Sequence, residues 1–259
     1  MHKYFTQPIP ILDDARLRRR GSRAHPIDLS SLQNKEVAVD ARAHGIRGEN
    51  YYHRKDNPPY FHSAPGSIPE LYVRESVLVR LLAVNESLKK EGYELFLFDA
   101  YRPLQVQNYF HDEWVPKYLR EKFPNWSEEQ ILEEVGNYWA KGARSIHEID
   151  PLSPSPHATG AVVDVSIINT RLGGEIFMGS HFDEVSSISH TDHFERALGE
   201  RVLTMSEEIA LAHRRLLYWS MVEQGFVGNP NEWWHFGIGD QMSAKISGEE
   251  SAVYSVLIV

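Results

Sequence analysis

Two short segments concentrate the side chains able to do chemistry. The first is Ser155-Pro156-His157-Ala158-Thr159-Gly160-Ala161-Val162-Val163-Asp164. His157 sits in a loop that feeds a strand, Asp164 lies inside that strand, and Gly160 lets the backbone turn between them. Asp164 is flanked by Val162, Val163, Val165 and Ile167. A carboxylate in so apolar a stretch is costly unless it is paired or holds a metal. Two readings stay open here: a pair of metal ligands, or a buried Asp satisfied by backbone donors beside a surface His. The second segment is Asn231-Glu232-Trp233-Trp234-His235-Phe236. Residues three apart on a regular strand point to opposite faces. Glu232 and His235 can therefore share a site only if the backbone bends or Glu232 lies in the preceding loop, and Asn229-Pro230 supplies such a bend. The alternative is an aromatic core strand with one hydrogen-bonded His.

Taken together, two His and one Asp make a three-ligand set suited to catalytic zinc, which leaves a fourth position open. The same donors also suit Fe(II). Bound zinc brings the pKa of water to about 7. Glu232, a carboxylate outside the ligand set, is then the candidate general base. A third segment, Asp99-Ala100-Tyr101-Arg102-Pro103, closes a strand. Arg102 offers a permanent positive charge to a developing oxyanion. It can equally be a structural partner of Asp99, and the two readings are compatible. His190 and His193 read as a polar loop before a helix. His44, His53, His62 and His181 lack acidic neighbours at useful spacing.

The 259 residues contain no cysteine, so any transition-metal site must use His, Asp and Glu. The formal net charge of −9 argues against a general nucleic-acid surface. No apolar run approaches the ~18 residues of a membrane span, and the first residues lack a signal-peptide core. The expectation is a protein with no nucleic-acid or membrane partner, and the absence of cysteine fits a cytoplasmic location. Arg16 and Arg18 to Arg20 read as a solvated surface segment.

The elements that must position these groups follow from patterning. Residues 1–36 read as irregular, with a short strand at Val37–Val39 and a long loop over 44–66. Ser67 is placed to cap a helix from about Pro69 to Lys90. Glu94–Phe98 reads as a strand, Leu104–Tyr118 as a helix, and Ser127 with Gln130 as the capping box of another. Ala161–Ile168 is a β-branched strand and Leu172-Gly173-Gly174 a turn. Ser206 is placed to cap a helix that Gly225 stops. Short strands near Phe226 and Trp233–Phe236 precede a tail, 241–259, whose end from Ala252 looks strand-like. The expected architecture is α+β: a single domain over 1–259, with a central antiparallel sheet flanked by helices.

The three segments, in their order along the chain, resemble those of VanX-type D-alanyl-D-alanine dipeptidases among the M15 metallopeptidases. A fourth, Met178-Gly179-Ser180-His181-Phe182-Asp183, is similar too. The resemblance implies one zinc on His157, Asp164 and His235, Glu232 as base and Arg102 as transition-state stabiliser. It further implies Asp183, with the Ser155 hydroxyl, at the substrate's free ammonium, and a compact DD-peptidase/hedgehog-like fold. The implied activity is hydrolysis of D-Ala-D-Ala or a related small D-dipeptide, in cell-wall recycling or glycopeptide resistance. A D,D- or L,D-carboxypeptidase acting on peptidoglycan stem peptides is the alternative. The chain departs from the family over Asp40–Gly48: Asp40 stands where a tyrosine is expected, and Gly45-Ile46 replaces Asn-Phe. That region helps line the family's pocket, so a changed lining is expected.

Overall fold

The computed structural model describes residues 3–259. Its strands are β1 (Ala38–Asp40), β2 (Arg47–Gly48), β3 (Tyr72–Arg74), β4 (Tyr93–Asp99), β5 (Val162–Asn169), β6 (Gly174–Glu175), β7 (Val227–Gly228) and β8 (His235–Gly237). Its helices are α1 (Asp13–Arg19), α2 (Glu75–Lys89), α3 (Leu104–Tyr109), α4 (Val115–Lys122), α5 (Glu128–Tyr138), α6 (His193–Glu200), α7 (Met205–Val222) and α8 (Gln241–Ser247). The architecture is α+β, as expected.

The larger sheet has six strands in the order β2-β4-β5-β8-β7, with β6 also on β5. Its pairings are antiparallel except β2 with β4, which is parallel. The sheet is thus mixed at one edge rather than wholly antiparallel. β5 is its centre. Alternation along a strand sends Val163, Val165 and Ile167 to one face and Asp164 and Ser166 to the other. The first face packs with Leu95 and Leu97 of β4, Leu81 and Leu88 of α2, and Leu216 and Met221 of α7. Val77, Leu81, Val84 and Leu88 recur at three- and four-residue spacing, which gives α2 one buried stripe.

Several boundaries differ from expectation, each for a local reason. The helix expected from Pro69 starts only at Glu75, because Tyr72–Arg74 pair with β1 in the register Ala38↔Arg74 and Asp40↔Tyr72. A β-prone Tyr-Val with a waiting partner outweighs a Ser cap. The Leu104 helix runs on to Lys122 through a π turn at Phe110–Trp114, which leads into Pro116 in the first turn of α4. Ser127 and Gln130 form both bonds of the expected capping box. In α7 the cap is Thr204, not Ser206: Thr204 lies three residues before Glu207, and the two bond reciprocally.

The N-terminal segment is not irregular throughout, since it contains α1. The end of the tail is not a strand. Its N–H groups go to three separate loops: Ala252 to the Pro26 carbonyl, Val253 to Gly239 and Leu257 to Ala158. No single partner strand exists there, so no ladder forms, although Tyr254 and Leu257 are buried. Among the described residues, no helix is long and apolar enough to cross a membrane.

Candidate active site

Strand register builds the site. Asp164 pairs with Asp99 of β4 on one side and with His235 of β8 on the other. The ladder between β4 and β5 slips between Leu97 and Asp99, and this irregularity turns Asp99 toward Asp164. His157 enters from a tight turn, Pro156–Thr159, that Gly160 closes at φ +66°. Only glycine adopts that conformation freely. Its Cβ position would also lie 2.4 Å from Leu257 Cδ2 of the tail.

His157, Asp164 and His235 each offer one candidate ligand atom, these atoms all lie within 4.8 Å of one another, and all three residues are buried. His157 Nδ1 is 2.8 Å from the Ala100 carbonyl. That acceptor places the ring proton on Nδ1 and leaves the Nε2 lone pair facing inward. Nε2 is 3.4 Å from Asp164 Oδ2 and 3.3 Å from His235 Nδ1. His235 Nδ1 is 3.2 Å from Asp164 Oδ1, yet Oδ1 is buried without a hydrogen-bond partner. Lone pairs and a carboxylate crowded this closely repel one another unless a cation lies among them, so the donors fit a metal ion. The two-His, one-carboxylate composition suits zinc.

Glu232 lies in the turn before β8, not in the strand, and this lets it share a side with His235. Its Oε2 is 3.4 Å from His235 Nδ1 and accepts from Asn229 Nδ2 at 2.5 Å. Burial pushes the Glu232 carboxyl up, against the opposing pull of His235. Arg102 is buried with each nitrogen engaged. Nε donates to Asp99 Oδ2 at 2.8 Å and Nη1 to Gln107 Oε1 at 3.2 Å. Nη2 donates to Tyr52 Oη at 3.3 Å and to Asp164 Oδ2 at 3.2 Å. The guanidinium lies 4.8 Å from the Tyr52 ring centre and 4.5 Å from that of Trp139. Arg102 is thus both the partner of Asp99 and a neighbour of the cluster.

Asp183 takes the left-handed conformation, φ +59°, which short polar side chains tolerate. Its Oδ2 accepts from Tyr52 at 2.7 Å and from Tyr60 at 2.8 Å. Burial above all, then repulsion from Asp164, pushes its carboxyl up to about 8, despite Arg102 and the two phenols.

One cavity of about 60 Å³ joins His157, Asp164, His235, Glu232, Arg102 and Asp183. Trp234 walls it, whereas Trp233 turns away and donates to Ser180 Oγ at 2.8 Å. Ser155 does not join Asp183. It precedes the tight turn, its carbonyl accepts from Ala158, and it lines a neighbouring groove with Arg23 and Asp150. None of residues 40–48 lines the cavity. Asp40 instead pairs with Arg42 at 3.0 Å, and Gly48 is a packing contact whose Cβ position lies 2.6 Å from Leu71 Cδ1. The basic cluster is more than a solvated segment: Arg16 pairs with the fully buried Asp192, and Arg19 lines the cavity. Sequence reading also missed Asn229, Tyr52, Tyr60 and Gln107. Only Asn229 carried a signal, its three-residue distance from Glu232.

Comparison with known proteins places the chain in a family. A family described as Peptidase_M15, D-ala-D-ala dipeptidase, matches residues 33–251. A protein of Synechocystis named D-alanyl-D-alanine dipeptidase is 31% identical over 181 residues, 66% of this chain and 71% of that one. One of Enterococcus faecalis with the same name is 24% identical over 213 residues, 81% and 94% of the two chains. A solved structure of VanYB in complex with D-alanine-D-alanine has a TM-score of 0.39 and 16% identity, covering 70% of this chain and 80% of that one. So weak a structural likeness carries no argument. The family match alone spans most of the sequence, and the chain therefore belongs to the D-Ala-D-Ala dipeptidase family of M15 peptidases and is a peptidase.

Proposed function

We propose that this chain hydrolyses D-Ala-D-Ala or a related small D-configured dipeptide, with one zinc ion held by His157, Asp164 and His235. The observation that carries the reading is the buried Asp164 carboxylate between two imidazoles, its Oδ1 without a hydrogen-bond partner, with Glu232 and Arg102 facing the same cavity. Zinc bound there supplies Lewis acidity toward the scissile carbonyl and the attacking water. Glu232, its carboxyl raised by burial, accepts the water's proton and later returns it to the leaving amine. Arg102, fixed by Asp99 and Gln107, donates toward the oxyanion as charge develops. Asp183 receives the substrate's ammonium, and Trp234 limits side-chain size. The shared name of the relatives supports the substrate class.

The test is hydrolysis of a peptide panel by zinc-loaded protein beside Glu232→Gln. The panel contains D-Ala-D-Ala, L-Ala-L-Ala, mixed and bulkier D-dipeptides, and a longer stem peptide. Cleavage of free D-dipeptides that disappears in the variant is the expected result. Cleavage of the stem peptide in preference would replace this reading with a carboxypeptidase. Zinc binding without any cleavage would overturn both.

A further inference from the structure

The matched family region begins at residue 33, yet the active cavity is partly built by a residue before it. The N-terminal arm is bolted beside the site by polar contacts. Ile9 N–H donates to Glu195 Oε1 at 2.7 Å and Leu12 N–H to Asp192 Oδ2 at 2.9 Å. Arg16 pairs with Asp192 and donates to the Pro230 carbonyl at 3.0 Å, in the turn that carries Glu232. These anchors seat α1, and its last residue, Arg19, faces the cavity.

The cavity is lined by two arginines, Arg102 and Arg19. Four of the five N–H donors of Arg102 go to Asp99, Gln107, Tyr52 and Asp164, and the proposed function already assigns this guanidinium to the oxyanion. Arg19 is different. Nη2 donates to the Asn137 carbonyl at 2.7 Å, at the end of α5, while Nε is buried with no hydrogen-bond partner. A guanidinium with a buried N–H that has no acceptor is a ready partner for a carboxylate. The cavity's other group able to take a charge, outside the metal cluster and its base, is Asp183, held by Tyr52 and Tyr60 and drawn toward its ionised form by a cation beside it. A free dipeptide carries an ammonium and a carboxylate, and the cavity holds one side chain able to take the opposite sign for each.

We infer that Arg19 binds the C-terminal carboxylate of the substrate, so that the N-terminal arm restricts this enzyme to free dipeptides. The inference rests on the dipeptidase reading for its substrate class.

The test is calorimetric binding of D-Ala-D-Ala and of its C-terminal amide to zinc-loaded Glu232→Gln protein, with and without Arg19→Gln. One charge-assisted hydrogen bond contributes about 10- to 100-fold. The free dipeptide should therefore bind at least about tenfold tighter than the amide, and Arg19→Gln should bring the two to near parity. Arg19→Lys, which can still donate to Asn137 and keeps the charge, should fall between them. Thermal melts of each variant check that α1 remains docked. Equal binding of dipeptide and amide by the Arg19 protein, a preference that survives Arg19→Gln, or no binding of either peptide would overturn the inference. Hydrolysis by the Glu232 protein is read separately. Arg19-dependent binding without turnover would remove the dipeptidase reading and leave Arg19 as a carboxylate site. Turnover with no Arg19 dependence would do the reverse.

Discussion

Asn229 donates from Nδ2 to Glu232 Oε2 at 2.5 Å, and its own N–H donates to the His235 carbonyl at 2.8 Å. One side chain therefore orients the proposed base while its backbone ties that base to a proposed metal ligand. Asn229→Ala should lower kcat by about 10- to 100-fold, the weight of one hydrogen bond to a charged group. The amide donor favours the ionised carboxylate, so its loss should raise the Glu232 pKa further. The acidic limb of the kcat/KM profile should then move to higher pH. A uniform loss of activity with an unmoved limb would reduce Asn229 to a packing residue.

Arg102 is held at Nε by Asp99, at Nη1 by Gln107, and against the rings of Tyr52 and Trp139. Lysine keeps the charge but cannot span these acceptors. Arg102→Lys should cost about 10²–10³ in kcat, as for other lost oxyanion donors, with KM changed little. Steady-state kinetics on the best dipeptide decides it. A rise in KM with kcat intact would show that Arg102 binds substrate without stabilising the transition state.

Much of the proposed site was legible because its chemistry forces unusual residues into unusual places. Asp164 among valines demanded a partner, and Asn229-Pro230 announced the bend that carries Glu232 to the side of His235. The elements around them were legible where a local rule governed, as in the Ser127–Gln130 capping box. What stayed hidden depends on contacts distant in sequence. Tyr52 reaches Asp183 across 131 positions, and Arg16 reaches Asp192 across 176. The run Arg16 to Arg20 looks like ordinary solvated charge until Asp192 is found buried beneath it. β3 was misread as helix for the same reason, since its partner β1 lies some 30 residues earlier.

The crowding of His157, Asp164 and His235 predicts that metal stabilises the fold as well as the reaction. A ligand at 100 times its Kd contributes about 2.7 kcal/mol. Removing zinc with a chelator should lower the melting temperature by several degrees, at about 2–4 °C for each 1 kcal/mol in a chain of this size. Adding zinc back should restore it. Asp164→Asn should melt at the same temperature with or without zinc. A wild-type melt indifferent to chelator would mean that these three residues hold no ion.

Asp183 makes stability depend on pH in a direction opposite to that of most carboxylates. Burial first, and Asp164 second, push its carboxyl up to about 8, whereas an unfolded chain leaves it near ~3.9. The folded state therefore keeps the proton across the window between these values. Its contribution is fully present below ~3.9 and is lost as pH rises through about 8. Asp183→Asn removes this titration and retains an acceptor for Tyr52 and Tyr60. In chelator-treated protein, the two melting temperatures should be similar near pH 4 and diverge as pH rises, the variant melting higher by pH 8.5. A bound ammonium draws the Asp183 carboxyl back to its ionised form, so the same substitution should raise KM for a free dipeptide by removing that counter-charge. Melting curves that stay parallel across this range would show that Asp183 is ionised throughout.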